Sequence, residues 1–230
     1  MTKKPLTRLE RVRAEIAAHG LTQLIVSDPT TIFYLTGLNI DPGERMYCLL
    51  LSADGSARLF LNRLFGTPDV GLPVVNFDDT DDAPALMAPY LDCHKALGVD
   101  KDWPARFLLR LQELPVAREY RVGSICCDMV RAVKDEAEQK AMIASSKVND
   151  DCMAEFAAAV RPGVTELELA EKIKEIYKAH GCTGVSFEPI VAFGDDAADP
   201  HHQNSTRALK EGEMVLLDVG GVYDNYCSDM

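Results

Sequence analysis

Asp218 stands inside the run Met214-Val-Leu-Leu-Asp-Val-Gly-Gly, with Val215, Leu216, Leu217 and Val219 around it. Such a run reads as a strand buried on both faces. An unpaired carboxylate in its middle would cost several kcal/mol. The fold must therefore bring a cation, a basic side chain or a set of backbone amides to Asp218. Asp229 follows 11 positions later, across a turn centred near Tyr223 to Asn225. In a two-residue hairpin, opposed residues differ by an odd number, and side chains two apart share a face. The spacing predicts that Asp218 and Asp229 face the same way, opposite or one step diagonal. Two partly desolvated carboxylates so close repel each other, and a divalent cation or a pair of them relieves the conflict. Hard oxygen donors suit manganese, magnesium, calcium or a carboxylate-bridged two-metal site. On its own, Asp229 reads as a turn or cap residue. It is the pair that points to metal.

The rest of the chain narrows the function by exclusion. At 230 residues there is room for two modest domains or one large one. A formal net charge of −12 disfavours nucleic acid, whose phosphates call for clustered Lys and Arg. No run of about 18 apolar residues is present, so no membrane span is expected. The basic start, Met1-Thr-Lys-Lys-Pro-Leu-Thr-Arg, leads into a charged amphipathic helix without an apolar core, unlike a signal peptide. The seven cysteines include no CxxC spacing and read as buried thiols of a cytoplasmic protein. There is no P-loop, no GxGxxG after a strand and no Ser-His-Asp order. The acidic runs Asp78 to Asp82 and Asp195-Asp196 fail the ligand spacing of an EF-hand. His201 and His202 follow Asp199-Pro200, where position alone favours a structural role, and His19, His94 and His180 read as structural too.

Periodicity predicts an α/β chain. Leu6, Leu9, Val12 and Ile16 mark a first helix, closed by Gly20. Strands are expected at Leu21 to Val26, ending in the turn Ser27-Asp28-Pro29, and at Met46 to Leu51, Arg58 to Leu61, Leu72 to Phe77 and Lys95 to Val99, with helices at Ala83 to Leu91 and Trp103 to Leu114. After about Cys127 the texture changes. Lys134 to Val160 contains no Gly or Pro and reads as one long helix, stopped by Arg161-Pro162-Gly163. Thr165 and Glu168 form a capping-box pattern for a second helix ending near His180. A domain boundary is expected near residue 128, giving domains of 1–127 and 128–230.

These residues resemble the Xaa-Pro peptidase and creatinase family, which includes prolidase and aminopeptidase P. Arg8-Leu-Glu-Arg-Val-Arg, Leu24-Ile-Val-Ser and Phe33-Tyr-Leu-Thr-Gly37 resemble the opening of its N-terminal domain, and Met129 to Glu138 the entry to its catalytic domain. Arg161-Pro-Gly-Val-Thr-Glu166, Phe187-Glu-Pro-Ile-Val and Asp199-Pro-His-His202 follow in the family's order, ending in the Asp218 and Asp229 pair. The resemblance implies a creatinase-like α/β N-terminal domain followed by an incomplete "pita-bread" catalytic domain. It implies that Asp218 and Asp229 are metal ligands, the second bridging two ions, manganese or cobalt. It further implies that His201, 17 residues before Asp218, lines the substrate pocket as a catalytic residue. The implied reaction is cleavage of the bond between an N-terminal residue and proline by a hydroxide held between the two metals. Proline-containing peptides would be the substrates, with a second copy of the chain as partner and neither nucleic acid nor membrane.

The family's later ligands, one His and two Glu, are not among these residues. The expectation is therefore a fragment, inactive alone, that does not retain its metals and whose Met214 to Met230 strands form an exposed apolar edge. Two alternatives remain at this point. One is a non-catalytic binding or dimerisation module of the same family. The other is a metal-free, creatinase-like amidinohydrolase, against which the intact Asp218 and Asp229 argue.

Overall fold

A computed structural model describes residues 6–230. The basic segment 1–5 lies outside the described residues. The chain divides into two compact units, one up to Val133 and one from Lys134 to Met230.

In the first unit, α1 (Arg8–Ala18) opens with a capping box in which Thr7 accepts from the Glu10 amide while the Glu10 side chain reaches back. It leads to β1 (Gln23–Val26), α2 (Pro29–Thr36), β2 (Tyr47–Ser52), β3 (Ala57–Asn62) and β4 (Val74–Phe77). Then come β5 (Ala96–Val99), α3 (Ala105–Gln112), β6 (Glu119–Val122) and α4 (Ile125–Ala132). The six strands form one mixed sheet in the order β4-β3-β2-β1-β5-β6. Its core follows from the two-residue alternation of side chains. Leu24, Val26, Leu49, Leu51, Leu59 and Leu61 pack one face with α1 and α4, while Ile25, Cys48, Leu50 and Phe60 pack the other with Trp103 and Leu111.

Three local readings needed structure. Ser27-Asp28-Pro29 is less a turn than a helix start, because Asp28 caps α2 by accepting from the Thr30 and Thr31 amides. The apolar stretch Ala85–Tyr90 is a 3-10 segment, with Pro84 before it and Pro89 inside it. Residue 128, where the texture of the sequence changes, lies within α4.

In the second unit, α5 (Glu136–Ala159) and α6 (Glu166–Ala179) both begin with a capping box, at Asp135 and Thr165. They pack through Phe156 and Tyr177, whose rings meet edge-on at 5.1 Å. The strands are β7 (Gly184–Val185), β8 (Ile190–Phe193), β9 (Val215–Asp218), β10 (Gly221–Tyr223) and β11 (Tyr226–Cys227). β8 and β9 pair antiparallel, and β11-β10-β7 form a second small sheet.

Two expectations are corrected. β9 is not buried on both faces: among the described residues it pairs with β8 alone, and Leu216 keeps 38% of its surface exposed. The cysteines are all free thiols, but Cys93 and Cys227 are exposed rather than buried.

Gly123 shows how tightly the first unit is built. A methyl group there would lie 2.5 Å from Leu24 Cδ1 and 3.0 Å from the Gly98 Cα. Gly123→Ala is expected to destabilise this unit by about 1–3 kcal/mol. Urea unfolding followed by the fluorescence of Trp103, the single tryptophan, reads it; an unchanged midpoint would contradict the close approach.

Candidate metal and substrate site

The Asp218 and Asp229 pair is set by a two-residue turn. Asp224 and Asn225 have φ of 49° and 65°, the left-handed values of a type I′ hairpin, which Asp and Asn tolerate best after glycine. Tyr223 then opposes Tyr226 and Val222 opposes Cys227. The pairing continues to Val219 and Met230, which exchange amide-to-carbonyl hydrogen bonds of 2.9 and 3.0 Å. In that register Asp229 opposes Gly220, and Asp218, two residues before Gly220, shares its face one step along the diagonal. Asp218 is half-buried and Asp229 exposed.

Two glycines let the strand carry this register. A Cβ on Gly220 would lie 2.1 Å from Ser186 Oγ and 2.2 Å from the Ser228 carbonyl oxygen. With that space free, the Ser186 hydroxyl donates across it to Ser228 O at 2.9 Å. A Cβ on Gly221 would strike the Tyr177 ring and Cys182 Sγ, at 2.8 and 2.9 Å.

Among the described residues, neither the Asp218 nor the Asp229 carboxylate has a hydrogen-bond or ion-pair partner, and no basic side chain neutralises them. Their neighbours in the unit contrast with this. Glu166, the first residue of α6, has no exposed surface, yet its carboxylate accepts four hydrogen bonds. The Phe193 N–H donates to Oε1 at 3.1 Å, while the Ser205 N–H, Ser205 Oγ and His202 Nε2 reach Oε2 at 2.9, 2.8 and 2.8 Å. Burial pushes this carboxyl upward, but the hydrogen bonds from His202, Ser205 and Phe193 outweigh it and hold it below the usual range. Arg207 bridges Asp196 and Glu213 at 2.6 and 2.8 Å and donates to the Phe193 carbonyl. Its bond draws the Asp196 carboxyl down and the guanidinium up, while Glu213 is lowered first by the Lys210 amide and then by Arg207.

Glu166, Asp196 and His202 present donor atoms within 4.8 Å of one another. Glu166 already accepts four hydrogen bonds and Arg207 holds Asp196, so this group fits a structural clamp better than a cation site. The free carboxylates of Asp218 and Asp229 suit a cation better.

His201 is exposed on the loop after the 3-10 segment Gly194–Ala198, and neither ring nitrogen is engaged among the described residues. Its amide donates to Asp199 Oδ1 at 2.9 Å. The loop is fastened to β8 by Asn204, which accepts from the Val191 amide at 2.8 Å and donates to Pro189 O at 2.7 Å. Asp218 pairs with Ile190 on the same strand. Thus β8 carries both the Asp218 strand and the His201 loop. Sequence reasoning missed Glu166, Asn204 and Arg207 as organisers of this region. Glu166 had a visible signal, an acidic residue directly after an N-cap, but its partner His202 lies 36 residues away.

Comparison with known proteins gives the context. Residues 8–133 match the creatinase/prolidase N-terminal domain, and residues 140–230 match metallopeptidase family M24. An uncharacterized peptidase of Staphylococcus aureus strain USA300 is 27% identical over 98% of this chain and 65% of its own length. The dipeptidase PepE from Mycobacterium ulcerans superposes with a TM-score of 0.85 at 32% identity, over 96% of this chain and 62% of that one. A prolidase from Thermococcus sibiricus gives 0.88 at 28%, over 96% and 63%. The chain thus spans about 65% of the length of the curated relatives it matches, and its α/β architecture is that of prolidase-like structures, with a creatinase-type first domain and a pita-bread second one.

Glu166→Gln is expected to cost about 1–3 kcal/mol, since it turns an amide donor toward donors. The pH dependence carries the sign. Because the folded pKa lies below the ordinary 4.5, the stabilisation is complete above that value and is lost as pH falls through the lower one. Thermal melts should show the gap between wild type and variant narrowing from pH 5.5 to pH 3. A constant gap would contradict the hydrogen-bonded carboxylate.

Proposed function

We propose a function that starts from kinship: the chain belongs to the creatinase/prolidase family, and we read it as part of a metal-dependent Xaa-Pro peptidase that uses Asp218 and Asp229 as cation ligands. One observation carries the reading. Two carboxylates share one face of a hairpin, one step apart, with no group among the described residues to neutralise them, while Glu166, Asp196 and Glu213 are all partnered.

The donor set fits hard divalent cations, manganese or cobalt, of which the reading takes two. When bound, such ions supply Lewis acidity, lowering the pKa of a water and offsetting charge that develops on a scissile carbonyl. The chain's own residues do the remainder. Asp218 and Asp229 hold positive charge at one point of the sheet face. The free ring of His201 donates a hydrogen bond to the substrate or carries a proton to the departing proline nitrogen. The names of the similar dipeptidase and prolidase support a short proline-containing peptide as substrate. Seven free thiols support a cytoplasmic protein.

A divalent ion of this kind takes about six oxygen or nitrogen ligands, so two carboxylates supply only a share. We expect residues 1–230 alone to bind Mn2+ weakly and to leave Xaa-Pro dipeptides uncleaved.

The experiment has two arms. Mn2+ titration of the 230-residue chain, read by electron paramagnetic resonance, should show binding that weakens about tenfold or more in Asp218→Asn and in Asp229→Asn, the loss of a charged ligand being worth more than 1.4 kcal/mol. Binding unchanged in both variants would overturn the ligand assignment. The protein purified from its source cells with Mn2+ should cleave Ala-Pro and spare Ala-Ala. Equal cleavage of both would overturn the proline specificity, and Ala-Pro cleavage undiminished after chelation would overturn the metal dependence.

A further inference from the structure

The loop from Asp199 to Arg207 is held by side chains for which the proposed metal and proton roles have no use. Its backbone lies along the start of α6. The Glu166 and Leu167 amides donate to the carbonyls of Arg207 and Ser205, each at 3.2 Å, and Thr165 bridges Ala208. Those are helix N-terminal amides that would otherwise lack acceptors. From the same turn of helix the Glu166 side chain folds back into the loop and takes His202 and Ser205. Facing His202 are Glu166 from α6 and Asp196 from the 3-10 segment, with Arg207 on the far side of Asp196. The His202 side chain is only 12% exposed, and Glu166 has no exposed surface.

His201, by contrast, has no side-chain anchor. Among the described residues its ring is unengaged, and its amide contact to Asp199 is local and exposed. The planar peptide holds the two Cα atoms about 3.8 Å apart, so whatever fixes His202 also restricts where the His201 Cα can sit. We infer that Glu166 and His202 form a positioning latch, in which the partly buried His202 imidazole pins the loop so that its neighbour His201 presents a preorganised ring to the substrate. The inference rests on the proposed role of His201. His202 is a positioning residue: its Nε2 is committed to Glu166 and touches no substrate. The adjacent histidines thus divide the labour, one inward as anchor and one outward as the working group.

The test compares His202→Leu, which removes the N–H donor, with His202→Gln, which keeps an amide donor able to reach Glu166. The first readout is the His201 imidazole resonance in the 230-residue chain, assigned with His201→Ala, beside a thermal melt. Wild type and H202Q should give one sharp His201 signal. H202L should shift and broaden it while the melting temperature stays within a few degrees. An unchanged His201 signal in H202L would overturn the latch whatever the activity. The second readout is Xaa-Pro hydrolysis by the native protein. H202L should lower kcat about tenfold with little change in KM, because misplacing a catalytic group costs the transition state rather than binding. H202Q should recover most of that loss. A His201 ring that responds with no change in kcat would also overturn the latch. Should H202L fail to fold, Ser205→Ala removes a single donor to Glu166 and should broaden the same signal less; no broadening there would overturn the latch as well. Wild-type protein that cleaves no Xaa-Pro peptide, with the His201 signal responding as expected, would leave the latch standing and remove the peptidase reading.

Discussion

The register of one hairpin decides what the second unit can do. Side chains alternate along a strand, so a slip of one residue between the Val219 side and the Met230 side would send Asp229 to the opposite face from Asp218. The turn at Asp224-Asn225 prevents that slip. Two consecutive left-handed residues match the twist of the flanking strands, and such a turn admits few register choices. The glycines at 220 and 221 allow the same register sterically, one under the Ser186-to-Ser228 hydrogen bond and one against Tyr177. Turn chemistry and close approach thus agree on a geometry that sets two negative charges side by side.

Electrostatics then separates the acidic groups of this unit into two kinds. Glu166, Asp196 and Glu213 have their charge absorbed by N–H and O–H donors or by Arg207, and they stabilise the fold. Asp218 and Asp229 have no such partner among the described residues. A protein that leaves two like charges adjacent and unpartnered gives up stability unless something from outside binds between them. The buried clamp and the open pair are joined through β8, which takes Asn204 from the His201 loop and pairs with β9.

Much of this could be read from the sequence because it was local. The capping box at Thr165 and the long helix α5 depend on neighbours within four residues, and the same pattern stands at Thr7 and Asp135, where sequence reasoning missed it. The shared face of Asp218 and Asp229 needed only parity and a two-residue turn. What escaped was non-local or masked. Asp28 looked like a turn residue because Pro29 follows it, although proline is at home in a first helical turn. The apolar run around Asp218 suggested full burial, but hydrophobicity does not reveal how many neighbours a strand has. The Glu166 clamp joins residues up to 39 positions apart, beyond any periodicity.

The central claim is that Asp218 and Asp229 hold a divalent cation together. The most direct measurement is anomalous diffraction at the manganese edge from crystals soaked in Mn2+. The account predicts a peak within roughly 2.0–2.6 Å of a carboxylate oxygen of both residues. A peak over Glu166, Asp196 and His202, or none near either aspartate, would contradict it.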